Sequence, residues 1–160
     1  MKASAMFGLL AMLSSQALAQ YFEGTYAVAS AGTQLYLADA SGSIIFQEGD
    51  PQAWFFVEAD IDQYAIVNNG TNQYINCGSE EGAICSASET AQLFLISNIS
   101  DDIYTFQDPD SKLLLHRTSD NQLDLSLPTP TNDESFELTK IWCKKLADWC
   151  FSIYVGMICW

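Results

Sequence analysis

The side chains that could do chemistry are few in kind. The chain has one histidine, His116, which stands beside Arg117. A Ser-His-Asp or Cys-His mechanism would need that imidazole oriented by a buried acid and set against a nucleophile. Its segment reads as a strand running into a loop, where a single histidine is ordinarily solvated, and that reading is preferred. The 20 acidic residues include carboxylates enough for a glycosidase pair, yet no two are singled out by position. There is no Gly-rich phosphate loop and no Cys/His spacing of a metal site. Asp101-Asp102 and Asp108-Pro109-Asp110 lack the calcium-loop pattern and read as turns. The chemistry points away from an enzyme: no catalytic residue, no metal and no cofactor is expected.

What remains is modification chemistry. Asn69-Gly70-Thr71 and Asn98-Ile99-Ser100 are N-glycosylation triplets, with Asn69 and Asn98 as acceptors. They matter only in an exported chain, and the opening residues read that way. Lys2 gives a short positive start, Met6 to Leu13 is an apolar run of leader length, and Ala17-Leu18-Ala19 supplies small residues before a cleavage point. The run is too short to span a bilayer and breaks at Ser14, Ser15 and Gln16. Residues 1–19 are therefore expected to be a signal peptide, with the mature, extracellular chain starting near Gln20. All five cysteines lie beyond that point, where an oxidising compartment would pair them.

The formal net charge is −14 at pH 7, and between Gln20 and Lys140 only Lys112, Arg117 and Lys140 are basic. Such a field repels nucleic acid and anionic membrane surfaces. The acids are interleaved with aromatics instead of gathered in a tail, so they read as a solubilising surface on a folded domain. The mature length suits one domain with one core.

The elements that must position these groups recur. Gly24-Thr25-Tyr26-Ala27-Val28 corresponds to Asp62-Gln63-Tyr64-Ala65-Ile66 and to Asp102-Ile103-Tyr104-Thr105-Phe106. Gln34-Leu35-Tyr36-Leu37 matches Asn72-Gln73-Tyr74-Ile75 and Lys112-Leu113-Leu114-Leu115. A third segment follows as Ser43-Ile44-Ile45-Phe46, Gly82-Ala83-Ile84-Cys85 and Gln122-Leu123-Asp124-Leu125. The unit closes with Gln52-Ala53-Trp54-Phe55, Gln92-Leu93-Phe94-Leu95 and Glu134-Ser135-Phe136-Glu137. Its period is about forty residues. The segments are short, β-branched or aromatic, and are separated by turn residues such as Ala31-Gly32, Asn69-Gly70 and Pro109-Asp110. No helical apolar period is sustained between Tyr21 and Lys140. The expectation is an all-β domain over residues 20–141, a trefoil of three pseudo-symmetric repeats near 24–61, 62–101 and 102–141. About four strands per repeat close on themselves and leave no open edge.

A Gln-x-Trp closing signal after a Tyr-Leu strand resembles the ricin B-type β-trefoil carbohydrate-binding family. Gln52-Ala53-Trp54 is a full match, while Gln92-Leu93-Phe94 and Glu134-Ser135-Phe136 are progressively weaker. The resemblance covers roughly Glu23 to Ile141. It implies a sugar pocket in which an Asp after the Tyr-Leu strand accepts hydroxyls, an aromatic of the third strand stacks on the ring, and an Asn before the closing signal adds a contact. The position after the strand holds Ala38, Asn76 and His116 instead. In the first repeat Asp39 lies one residue late, Phe46 is the stacking aromatic, and Asp50 sits where the Asn would be. Asp39, Phe46 and Asp50 are thus the candidate ligand residues. A competing reading makes Phe46 and Trp54 core and both acids ordinary loop residues. The second repeat has Asn76 but no aromatic near Cys85, and the third offers His116 and Asn132 beside leucines. The resemblance also implies a local disulfide, Cys77 to Cys85, across the turn between the second and third strands of repeat two.

Composition changes after Ile141. Residues 142–160 hold Cys143, Cys150, Cys159 and three of the four tryptophans. One face through Trp142, Leu146, Trp149, Ile153 and Met157 could be helical, but Lys144, Lys145 and Asp148 argue against a membrane span. Two readings stand: a hydrophobic tail that docks on the barrel or pairs with another chain, and a mistranslated extension. The function expected is a secreted, non-enzymatic binding module for glycan or cell-wall polysaccharide. The alternatives are a protein-binding trefoil, either protease inhibitor or effector, and a structural secreted protein.

Overall fold

The twelve strands of the computed structural model, which describes residues 22–129 and 131–141, are short; several alternate in burial, whereas the strands over residues 25–30 and 63–68 are buried in continuous runs. The leader expected at 1–19 and the tail expected at 142–160 lie outside the described residues. The strands are β1 (Thr25–Ser30), β2 (Tyr36–Ala40), β3 (Ser43–Gln47), β4 (Trp54–Asp60), β5 (Gln63–Asn68) and β6 (Tyr74–Asn76). They continue as β7 (Ser86–Ser88), β8 (Leu93–Ser100), β9 (Ile103–Gln107), β10 (Leu114–Arg117), β11 (Leu123–Ser126) and β12 (Phe136–Ile141).

Six of them close a ring. β1 pairs with β4, β4 with β5, β5 with β8, β8 with β9, β9 with β12, and β12 returns to β1, all antiparallel. Closure removes the exposed edge that an open sheet of such short strands would carry. The other six form the hairpins β2–β3, β6–β7 and β10–β11, hung from β1, β5 and β9. The pairing pattern within β1–β4 therefore recurs within β5–β8 and within β9–β12. The third strands of the hairpins meet through Ser43↔Ser86, Ile45↔Gln122 and Ile84↔Asp124, which ties the hairpins into a cap over one mouth of the barrel.

A line of aromatic rings runs from the cap through the barrel. Phe46 stacks on Phe136 at 5.7 Å, Phe136 meets Phe106 at 5.4 Å, Phe106 stacks on Phe56 at 5.8 Å, and Phe56 meets Phe22 at 5.1 Å. Phe22 also packs edge-on against Tyr26, Tyr64 and Tyr104, and so plugs the mouth opposite the cap. Burial there, with Tyr104 close by, pushes the Tyr26 phenol above its ordinary value. The axial cavity, lined by Val28, Leu37, Phe56, Ile66, Phe106, Leu115, Leu123 and Phe136, is wholly apolar and belongs to this core.

Three polar residues are buried at one recurring place. Ser30 and Asn68 end β1 and β5 and Asp108 directly follows β9, each four residues after its tyrosine. Each backbone turns a tight loop: Gln34, Asn72 and Lys112, all at positive φ, donate to the carbonyls of Ser30, Asn68 and Asp108. Each buried side chain is met by the preceding unit. Asn68 donates to Gln52 Oε1 (2.6 Å), Gln92 Nε2 donates to Asp108 Oδ1 (3.2 Å), and Arg117 Nε donates to Ser30 Oγ (3.2 Å). The contacts run cyclically, first unit to second, second to third and third back to first. A buried polar atom without such a partner would cost about 1–3 kcal/mol.

Cys77 and Cys85 form the disulfide that the family resemblance implied, and both are buried. Replacing both by serine is expected to lower stability by about 2–3 kcal/mol, the loop-closure value for so short a loop, read by urea denaturation without reductant. A second expectation concerns acid. Burial opposes the charge of Asp108, but bonds from the Ser111 hydroxyl and amide and from Gln92, with Lys112 nearby, outweigh it and hold the carboxyl below its ordinary 3.8. Because the folded value is the lower, this stabilisation is complete above 3.8 and is lost as pH falls through the folded value. Asp108→Asn, which copies Asn68, should flatten the acid limb of the stability–pH curve while folding normally at neutral pH.

Candidate functional site

The first hairpin carries the site. β2 leaves the core at Ala38 and turns into β3 through Ser41 and Gly42, both at positive φ, as a two-residue type I′ turn requires. Asp39 lies just before this turn and is partly exposed. Gln52 grips its backbone at both ends: Oε1 accepts from Asp39 N–H at 2.9 Å, and Nε2 donates to the Asp39 carbonyl at 3.2 Å. Trp54 Nε1 donates to the Leu37 carbonyl at 3.1 Å while its indole is fully buried. The Gln-x-Trp signal is thus a clamp that fastens the exit of β2 to the start of β4.

The clamp orients the carboxylate. Asp39 Oδ1 accepts from Gly42 N–H at 2.7 Å, and Oδ2 accepts from the Thr71 hydroxyl at 2.9 Å. Thr71 belongs to the loop after β5, where Asn68 Oδ1 accepts from the amides of Gly70 and Thr71. Two units of the barrel therefore hold one carboxylate at the rim. A carboxylate has about four acceptor positions, so each oxygen keeps capacity for a hydroxyl of a ligand. The corner is a fixed hydrogen-bond acceptor.

The clamp also sets which positions correspond. Gln92 Oε1 accepts from Cys77 N–H at 2.7 Å, as Gln52 does from Asp39, and Arg117 occupies the same place in the third unit. The gripped position is therefore Asp39 and Cys77, and Arg117 stands at the same strand offset although Glu134 bonds Thr129 and does not grip it; these lie one residue later than the run Ala38, Asn76 and His116. Only the first unit has an acid there; the second spends the position on the disulfide and the third on the contact to Ser30. Arg117 further donates to Asn121 and to Asp133, with which it forms an ion pair.

Phe46 does not join the site. It is 3% exposed and stacks on Phe136. On β3 the inward positions are Ile44 and Phe46, and Ile45 between them is the partly exposed one. A ring enclosed in that stack has no face to offer a sugar, which corrects the stacking role and agrees with the competing core reading for Phe46 and Trp54. Asp50 is exposed in the loop between β3 and β4. His116 departs from the solvated reading: Nδ1 lies 2.8 Å from Asp124 Oδ1, because β10 and β11 pair these residues directly. Among the described residues no hydroxyl or thiol is hydrogen-bonded to that ring. Asn76 is committed to its own loop, donating to the Thr90 carbonyl and accepting from Gly78 N–H. Asn132 is exposed at the start of the 3-10 turn Asn132–Glu134.

Asn68 and Asp124 are not candidate residues on sequence grounds, and Thr71 stands there only as the last residue of a glycosylation triplet. The signal for Asn68 is a polar residue at the same offset from each repeated tyrosine; nothing local marks Thr71 as a partner of Asp39, which lies in another unit.

No family model matches the sequence, and no curated protein matches it. Solved structures do. A designed 3-fold symmetric protein, ThreeFoil, is similar with a TM-score of 0.64 at 16% identity, over 74% of this chain and 100% of that one. The Macrolepiota procera ricin B-like lectin, in complex with lactose, is similar with a TM-score of 0.67 at 12% identity, over 76% of this chain and 99% of that one. The Polyporus squamosus lectin, bound to a human-type influenza-binding epitope, gives 0.67 at 16% identity over 76% of this chain and 50% of that one, so this chain spans half its length. At these identities the likeness is one of fold. The chain has a β-trefoil fold.

The core assignment of Phe46 is checked by stability. Phe46→Ala is expected to cost ~3–5 kcal/mol in chemical denaturation, several times the cost of Asp39→Ala at the rim.

Proposed function

We propose that the chain is a secreted, non-enzymatic carbohydrate-binding protein that recognises glycan or cell-wall polysaccharide through the rim of its first unit. In this reading residues 1–19 are a removed leader, residues 20–141 are a trefoil of three pseudo-symmetric repeats near 24–61, 62–101 and 102–141, and residues 142–160 are an appended tail. The observation that carries the proposal is the Asp39 corner: a carboxylate on a lectin-like fold, held by Gln52, Gly42 and Thr71 with acceptor capacity left over. Asp39 and Thr71 read sugar hydroxyls, and Asp50, exposed in the neighbouring loop, extends the acceptor surface. Phe46 has no part in contact. One pocket per chain follows, since the other two units carry a disulfide cysteine and an arginine at the equivalent place.

A glycan array with a polysaccharide pull-down tests this. Asp39→Asn should weaken binding roughly 10- to 100-fold, the worth of a charge-assisted hydrogen bond, with an unchanged circular dichroism spectrum. Absence of binding to any sugar by the wild-type chain rejects the reading.

One observation favours the protein-binding alternative. Ile61 is 82% and Ile99 55% exposed, near the tips of the β4–β5 and β8–β9 hairpins on the barrel mouth opposite the cap. Exposed isoleucines on adjacent hairpin tips suit a protein partner better than a sugar.

A further inference from the structure

The two glycosylation triplets are treated differently by the fold. Asn98 lies on β8 next to the β8–β9 turn, and its Nδ2 donates to the carbonyls of Asp101 (2.8 Å) and Ile103 (3.5 Å). Asp101 takes positive φ in that turn, and the ladder shifts register between Asn98 and Ser100. A glycan on Asn98 would replace one of the amide hydrogens that close the turn. Asn69 is different. Its side chain is exposed and makes no hydrogen bond among the described residues, while its backbone N–H is anchored to the Ala53 carbonyl at 2.9 Å. Asn68 on one side bonds Gln52, and Thr71 on the other bonds Asp39.

We infer that Asn69 is the glycosylated position of the folded protein, and that its glycan covers the Asp39 corner and so limits access to it. The covering part rests on the reading of that corner as the sugar site. Two residues of chain reach at most about 7 Å, so a glycan rooted at Asn69 starts beside Thr71 and Asp39 and is long enough to lie across them. The same Thr71 hydroxyl that completes the triplet is the one that holds the carboxylate. Modification and binding therefore share one corner of the fold, and the form without glycan is the open one.

Three measurements on the full chain from a eukaryotic secretion host test this. Enzymatic deglycosylation in heavy-oxygen water converts an occupied Asn to labelled Asp; peptide mapping should find the label at Asn69 and not at Asn98, and an unlabelled Asn69 overturns the assignment. Hydrogen exchange of the Gly42 amide, which donates to Asp39, reads the cover without any ligand. It should speed up on deglycosylation, and an unchanged rate overturns the cover. On the glycan array Asn69→Gln should bind at least tenfold more tightly than the glycosylated wild type, whereas Asn98→Gln should lower the melting temperature and leave affinity unchanged. Equal binding by wild type and Asn69→Gln overturns the limit on access. If neither binds any sugar, the carbohydrate reading fails, while the labelling and exchange results still decide the placement of the glycan.

Discussion

The fold depends on satisfying one buried polar group at the end of the first strand of each unit. Ser30, Asn68 and Asp108 are drawn under the surface where the chain turns from barrel to hairpin, and each is met by a side chain of the unit before it. An amide serves twice because it carries both a donor and an acceptor: Gln52 accepts from an asparagine and Gln92 donates to an aspartate. In the third place Glu134 has turned to the Thr129 amide and hydroxyl, and Arg117 supplies the missing donor. These contacts tie each unit to the next, beside the strand ladders that close the barrel.

The same clamp decides where function can sit. A residue gripped by its backbone keeps its side chain free, so the gripped position is the one at which a side chain is both fixed and available. Asp39 uses that freedom to present a carboxylate and Cys77 to close a disulfide, while Arg117, at the same offset but without the clamp, completes the ring of contacts. The divergence of the three units follows from this division. Two have committed the position to stability, and one has left it at the surface.

The charge belongs to the surface and not to the scaffold. The net charge of −14 is carried largely by exposed loop acids, and of the acidic residues among the described ones only Asp108 and Glu134 are buried. Each of these has hydrogen-bond donors directed at it, as a buried carboxylate requires. The line of aromatic rings from Phe46 to Phe22 is meanwhile free of charge, which suits a core whose stability comes from apolar burial.

Strand type, strand number and the recurrence of the four segments were legible in the residues, because alternation and turn chemistry act over a few positions and need no tertiary partner. The cysteine pair was legible only through the resemblance in its repeat. Whether Phe46 faced a ligand or the core was open in the sequence, since both faces of β3 are apolar in Ile44, Ile45 and Phe46. The cap settled it by placing Phe136 against that ring. His116 and Asp124, eight residues apart, met only because β10 and β11 fell into one register. The residues by themselves determined a barrel of short strands with a Gln-x-Trp clamp. Tertiary structure alone decided which position that clamp holds, and that Thr71 reaches Asp39, because both depend on contacts between units that no local pattern encodes.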